Sequence, residues 1–288
     1  MVKFVLPLLV LICSQGFAQG SFAPQAGELG STAIPKDSAC FRDWAISCTL
    51  ERGLRQAGMP DSGYASAGAA VYANGPADAP LTVSLGDSGI ATLLFTAPFY
   101  DGEGADFAVF ENGFGSGPDA FLEFAFVEVS SDGEHFFRFP AISEISTATQ
   151  KAAFENTDAS MVHNLAGKYI ANYGVPFDLA ELPDTALLDK QRVTHVRIVD
   201  VIGSIDAEIA TYDSQGGLIN DPWPTNFGPG GFDLDAVGII NSSIPIGVRV
   251  MSSKQGPVLF NIDLLGRASQ GATTLQYNSE GEKYLTIP

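Results

Sequence analysis

From residue 81 onward the chain is a succession of short apolar runs broken by Gly, Asp and Asn. Runs of four to eight residues bounded by turn formers carry the spacing of strands, and no sustained 3.6-residue period competes with it. LTVSL (81–85), ATLLF (91–95), DFAVFEN (106–112), FLEFAFVEVSS (121–131), HFFRF (135–139), THVRIVDVIG (194–203) and FDLDAVGII (232–240) are therefore predicted strands. In FLEFAFVEVSS both faces are apolar except at Glu123 and Glu128, the pattern of a central strand covered on both sides. Strands without repeated helices favour an all-β sandwich or jelly roll over an α/β fold. The 31 Gly, 17 Pro and 20 Phe point the same way.

The regular pattern breaks at 144–192, where only a short helix around Asp178 to Leu188 is predicted, and again at 206–231, which holds Pro222, Trp223, Pro224 and the run GPGG. Long insertions in a β domain often carry binding residues. The expected organisation is a signal peptide over 1–19, a flexible leader over 20–39, a sandwich domain over 40–241 and a short C-terminal β tail over 242–288. The leader is small and polar. Within the tail, GVRVM, VLFNIDLLG and KYLTIP are further strand candidates.

The signal-peptide expectation rests on Lys3, the lone charge of the first nineteen residues, on the apolar stretch Phe4 to Ile12, and on Gly16 and Ala18 before a cleavage point. The stretch is too short to span a bilayer, and Ile12 before Cys13 does not suit lipoprotein processing. The expected location is secreted or at a bacterial cell surface. There Cys40 and Cys48, eight apart, are expected to pair as a disulfide, with two buried thiols the alternative. Neither a Cys-x-x-Cys spacing nor a neighbouring His supports a zinc or redox site.

A net charge of −18 repels nucleic acid and anionic membranes and attracts cations. Asp101, Glu103 and Asp106 lie in the glycine-containing loop DGEGAD, Glu111 and Asn112 end the next strand, and Asp200, Asp233 and Asp235 stand far along the chain. Calcium takes six to eight oxygens from such groups. Because Asp233 and Asp235 alternate with apolar residues, at least one is expected to face inward, where a lone charge is costly. Asp101, Asp106, Asp200, Asp233 and Asp235 are accordingly the expected calcium ligands, against the alternative of a solvated acidic surface.

Other motifs carry less. GDSG at Gly86 to Gly89 echoes a serine-protease loop, but His135, His163 and His195 all follow Ser88, the reverse of that family's order, and a hairpin turn is the simpler reading. None of the histidines has metal-ligand spacing. Glu123 and Glu128 have opposite strand parity and make a poor pair for glycoside hydrolysis, whereas Glu111 with either one is geometrically admissible. Tyr169, Tyr173, Trp223 and Phe227 are the loop aromatics best placed to stack on a sugar, with Glu111 and Asn112 available to orient hydroxyls.

The ordered strings SLGDSGIATLLF, DGEGADFAVFENGF, EFAFVEVSSDGEHFFRFP, NLAGKY, GVPFDLAEL, VTHVRIVDVIGSI and DPWPTNFGPGGFDLDAVGII, over about 44–241, resemble a family of bacterial cell-surface proteins of unassigned function. More distantly, VEVSSDGEHFFRF and VTHVRIVDV resemble discoidin and galactose-binding-like jelly rolls. That likeness implies loops binding ligand at one end, a common structural calcium, and a closing-strand carboxylate such as Asp235 near it. SLG-x-x-G followed by DF-x-V-x-x-N-x-F is similar to surface proteins of cobalamin uptake, and VLFNIDLLGRAS with GEKYLTIP is similar to type IX secretion-sorting domains. The expected function is a non-catalytic, calcium-stabilised module that binds glycan or a cell-surface component. A carbohydrate-active hydrolase, a structural adhesion protein and a corrinoid-binding accessory are the alternatives.

Overall fold

The computed structural model describes residues 20–244, 250–253, 256–259, 274–277 and 283–286. The expected signal peptide, and the DLLGR segment of the expected sorting signal, lie outside the described residues. Strands are numbered in chain order. One sheet runs β1 (Ile34–Pro35), β14 (Tyr173–Phe177), β6 (Phe107–Glu111), β16 (Asp233–Ile239), β2 (Asp43–Trp44), with β4 (Val83–Ser84) also on β16. The other runs β10 (Phe137–Arg138), β9 (Ala125–Ser130), β15 (Val193–Asp200), β5 (Ile90–Phe99), β3 (Ser47–Glu51). All pairings within both sheets are antiparallel. The protein is an all-β sandwich, and each of the seven predicted strands overlaps one of these elements. Two hairpins lie in the tail, β17 (Val250–Ser253) with β18 (Gly256–Leu259) and β19 (Thr274–Tyr277) with β20 (Lys283–Thr286). Among the described residues no helix is long and apolar enough to cross a membrane.

Strand parity explains the layers. Phe107, Val109, Leu234 and Val237 from the first sheet meet Leu93, Val127, Val129, Val196 and Ile198 from the second in one core. Phe107 is its hub, with ring centroids 5.3–5.8 Å from Phe99, Phe139 and Phe177. Burying each such ring contributes about 1.5–3 kcal/mol. The opposite face of β9 is apolar because the insertions cover it: Phe124 and Phe126 pack with Ile145, Leu165, Val201 and Ile219 in a second core. That layer accounts for the unbroken apolar reading of FLEFAFVEVSS.

Four expectations change. Residues 20–39, read as a flexible leader, are part of the fold: β1 pairs with β14, the Phe22 N–H donates to Ser160 O at 3.0 Å, and buried Gln25 accepts from the Ile170 N–H at 3.1 Å. Its small residues permit close approach rather than mobility, since a Cβ on Gly20 would sit 2.1 Å from Ser160 O. Cys40 and Cys48 are free thiols. The chain changes sheets between β2 and β3, so Cys40 packs on the outer face beside Trp44, whereas Cys48 packs on the central core. Burial pushes the Cys48 thiol up to about 12. GDSG is no hairpin turn, because β4 and β5 belong to different sheets and the motif carries the chain between them. The predicted helix near Asp178 is one 3-10 turn, Leu179–Glu181, capped by Asp178. Pro183 ends it by holding Leu182 extended.

Candidate functional site: an acidic, aromatic end of the sandwich

The strands deliver their termini to two ends. At one end Glu111 closes β6, Asp233 opens β16, Asp200 closes β15, Glu123 precedes β9 and Asp87 precedes β5. Asp221 joins them from the loop after β15. These six carboxylates are all buried, and among the described residues no Lys, Arg or His lies within ion-pair distance of any of them.

Backbone amides and neutral side chains hold half of the set. Asp200 accepts from the Phe232 N–H at 2.6 Å and the Ser88 N–H at 3.0 Å. Gly231, at φ 73°, is required beside it: a Cβ there would lie 2.7 Å from Asp200 Oδ1. Asp233 accepts from the Ser84 hydroxyl and from Asn112 Nδ2 at 3.0 Å. Asp87 Oδ2 accepts from the Ala57 N–H at 2.6 Å and the Trp223 indole N–H at 3.1 Å.

The remaining three are under-satisfied. Glu111 Oε2 accepts from the Gly113 N–H at 2.5 Å, but Oε1 has no partner. Asp221 Oδ2 accepts from the Phe124 N–H at 2.9 Å, but Oδ1 has none. Among the described residues none donates a hydrogen bond to the Glu123 carboxylate, and the residue is only 5% exposed. Burial, followed by the charge of Asp233, holds Glu111 and Glu123 well above the usual carboxylate range. Burial also raises Asp200 and Asp221, and the Asp87 charge adds to both. The nearest opposing charges are Arg52, which favours the ionised form of Asp233, and Lys151, which does so for Asp221.

Over this end runs a strip of aromatic rings. Phe114 stacks on Phe121 at 4.8 Å, Phe121 meets Phe154 at 5.7 Å, and Phe154 stacks on Phe227 at 5.7 Å with planes 4° apart. Phe114 and Phe154 are 60% and 66% exposed. Their positions follow from short local structure: β7 (Phe114–Gly115) pairs with β8 (Asp119–Phe121), and β12 (Thr157–Asp158) pairs with β8 just beyond Phe154.

At the opposite end stands a different acidic group. Asp101, Asp106 and Asp178 bring one carboxylate oxygen each within 4.8 Å of one another. Asp106, fully buried, is completely engaged: Oδ1 accepts from the Gly102 N–H at 2.8 Å and Asn241 Nδ2 at 2.7 Å, and Oδ2 from the Leu179 N–H at 2.7 Å. A cleft of about 550 Å³ opens nearby, lined among others by Phe22, His163, Lys168, Tyr169, Asp178 and Glu181. Burial pulls the Lys168 ammonium down to about 8, and its Nζ donates to Val162 O at 2.6 Å.

The five expected calcium ligands therefore do not converge. Asp101 and Asp106 lie at one end and Asp200 and Asp233 at the other. Asp235 is set apart by a bulge between Leu234 and Ala236, and accepts from the Asp78 N–H at 2.9 Å. The expected sugar platform divides too. Phe227, Trp223, Glu111 and Asn112 share the aromatic end, whereas Tyr169 lines the cleft with its hydroxyl 2.8 Å from Thr32 Oγ1, and Tyr173 packs against the central core. Glu128 is remote from Glu123, as parity requires, bonded to Arg138 and Arg197. Sequence reasoning passed over Asp87, Asp221, Phe114, Phe121 and Phe154. The first two sat inside turn motifs, GDSG and NDPW, whose carboxylates were the available signal. A scan against protein-family models gives no match for this chain, and a search of the curated proteins gives none either.

Proposed function

We propose that the protein is a non-catalytic glycan-binding module of the bacterial cell surface or its surroundings, and that glycan docks on the strip Phe114, Phe121, Phe154 and Phe227. The observation carrying this reading is that two rings exposed by 60% and 66% belong to one run of ring contacts, stacked at both ends and tilted by 36° between Phe121 and Phe154. Exposed stacked rings leave a flat apolar surface in water, and the apolar faces of sugar rings can cover it. Asn112 and the half-buried Trp223 stand beside the strip to meet hydroxyls. With a net charge of −18 the chain disfavours uronate-rich or sulfated polymers, so neutral glycans are the expected class.

A hydrolase reading gains from Glu111 and Glu123 occupying the same end with raised proton affinities. Against it, the two side chains are 1% and 5% exposed, beneath the surface a sugar would touch. The deciding experiment is a glycan array followed by titration of the best neutral oligosaccharide against the wild type, Phe154→Ala and Phe114→Ala. Both rings are exposed, so the variants should fold normally. Each should weaken binding by about tenfold or more, a loss of about 1.4 kcal/mol. Binding that ignores both substitutions, preference for anionic polymers, cobalamin as the retained ligand, or release of reducing ends would overturn the reading.

A further inference from the structure

The cleft of about 550 Å³ lies along the edge of the first sheet, between β1, β14 and the segment that leads into β1. Its size falls in the range of small-molecule sites, which are mostly apolar with a few placed polar groups. Phe22, Ala23, Ile34, Ala105, Val175 and Pro176 form the apolar wall. One lining side chain carries a buried positive charge: Lys168, 4% exposed. Its Nζ donates to Val162 O at 2.6 Å, and among the described residues it has no ion pair. An ammonium has three donors, so two are left beyond that bond. The rings of Phe22 and Tyr169, at 5.9 and 5.8 Å, attract it weakly, and Asp158 supports its charge from beyond ion-pair distance. The lysine is also held in place. Gln25 Nε2 donates to Lys168 O at 3.3 Å, and Gly167, at φ 80°, passes where a Cβ would meet Glu123 O at 1.8 Å. A buried charge without a partner is costly, and an anion in the cleft would remove that cost.

We propose that this cleft is a binding site separate from the aromatic strip, and that it takes a small monocarboxylate with an apolar body. The ligand carboxylate meets Lys168 Nζ, and its body lies against Phe22, Ile34 and Val175. Hydrogen bonds between ionised partners are the short, strong kind, and the apolar wall supplies the rest of the contact. The other charged groups of the cleft set the limit of one negative charge. Glu181 is taken up by His163 Nε2 at 3.6 Å and by the Asn164 side-chain amide. Asp178 accepts from the Ala180 N–H at 2.9 Å and stands within 4.8 Å of oxygens of Asp101 and Asp106. A second negative charge on the ligand would face Asp178 and Glu181 with no further lysine or arginine in the lining, and the net charge of −18 opposes it too. The proposal does not rest on glycan binding, because none of Phe114, Phe121, Phe154 and Phe227 lines the cleft.

Matched probes test the charge and the place together. The full chain is titrated by calorimetry with octanoate, 3-phenylpropanoate, 3-phenylpropanamide, 3-phenylpropylammonium, succinate and inorganic phosphate. At least one of the two monocarboxylates should bind. The amide should bind at least about tenfold more weakly than its acid, since it lacks the charge that Lys168 meets. The ammonium probe, succinate and phosphate should give no measurable heat. Above pH about 8, where Lys168 gives up its proton, affinity for the monocarboxylate should fall by up to about tenfold per pH unit. Ala105→Leu fills the wall and leaves Lys168 untouched, and it should abolish binding with little change in the melting curve. Lys168→Met should abolish binding as well, its own melting curve showing whether the variant folds. Phe154→Ala should bind the probe like the wild type. Failure of both monocarboxylates, equal affinity for the amide, tighter binding of the ammonium probe, succinate or phosphate, or an affinity unchanged from pH 7 to 9.5 would each overturn the proposal. So would binding that survives Ala105→Leu, or binding lost in Phe154→Ala, which would place the probe on the aromatic strip.

Discussion

The two ends of the sandwich bury carboxylates in opposite ways. Asp106 takes three donors from three separate segments, Gly102, Leu179 and Asn241, so its charge is distributed over hydrogen bonds and its burial ties loops together. Glu111, Glu123 and Asp221 have comparable burial and fewer donors, and the charges of Glu111 and Asp221 raise the proton affinity of Glu123. Burial alone therefore does not identify a functional carboxylate. The count of donors does: a satisfied carboxylate is a structural joint, and an unsatisfied group of them is a place for something else.

This contrast can be broken by mutation. Asp106→Ala should produce the largest effect, because it strands two backbone amides and the Asn241 side chain in the interior. The loss should be about 3–5 kcal/mol in urea denaturation, with or without calcium. A loss under about 1 kcal/mol would mean that those donors find other partners.

Asp43, at the start of β2 on the Asp106 side, gives the next effect. Burial raises its carboxyl to about 6 against weaker opposition from the Trp44 and Thr96 amides. The folded state then holds a proton that the unfolded chain releases near 3.8, so stability should fall as the pH rises from about 4 to 6 and level off above. The slope from this group should reach at most about 1.4 kcal/mol per pH unit. Asp43→Asn should flatten that part of the profile, and an unchanged slope would assign it elsewhere.

Glu123→Gln should produce the smallest effect, within about 1 kcal/mol of the wild type and in the stabilising direction at high pH, since it removes a group whose ionised form is opposed by burial and by the neighbouring carboxylates. A clear destabilisation would show that Glu123 is a joint like Asp106, and the distinction between the ends would fail.

The sequence made the strands legible because their apolar period is local. FLEFAFVEVSS read as a central strand and THVRIVDVIG as a strand, and the two are adjacent. Partnership between distant segments was not local, and the errors follow from that. The Cys40 and Cys48 spacing looked like a short loop, yet a change of sheet intervenes. Asp233 and Asp235 read as one ligand pair until the bulge at Asp235 separated them. Phe154 stood alone in an irregular stretch, and nothing in its neighbours revealed that Phe121 and Phe227 would reach it. Glu111 and Asn112 were legible as residues of the same strand end because they precede a glycine, but the burial of Glu111 was not.

The position of β16 has a consequence for how the chain reaches this state. It is the last strand of the sandwich to be synthesised, yet it lies inside its sheet, bonded to β6 on one side and to β2 and β4 on the other. Its earliest partner lies 196 positions upstream, Asp43 opposite Ile239. A chain stopped anywhere before residue 232 has β6 as an open edge and lacks Asp233 and the Phe232 amide that Asp200 accepts from. Sheet closure, the acidic end and the Asn241 contact to Asp106 thus all wait for one late segment. Such dependence on distant pairing slows folding, and it keeps the nascent polypeptide uncommitted until nearly the whole domain has been made.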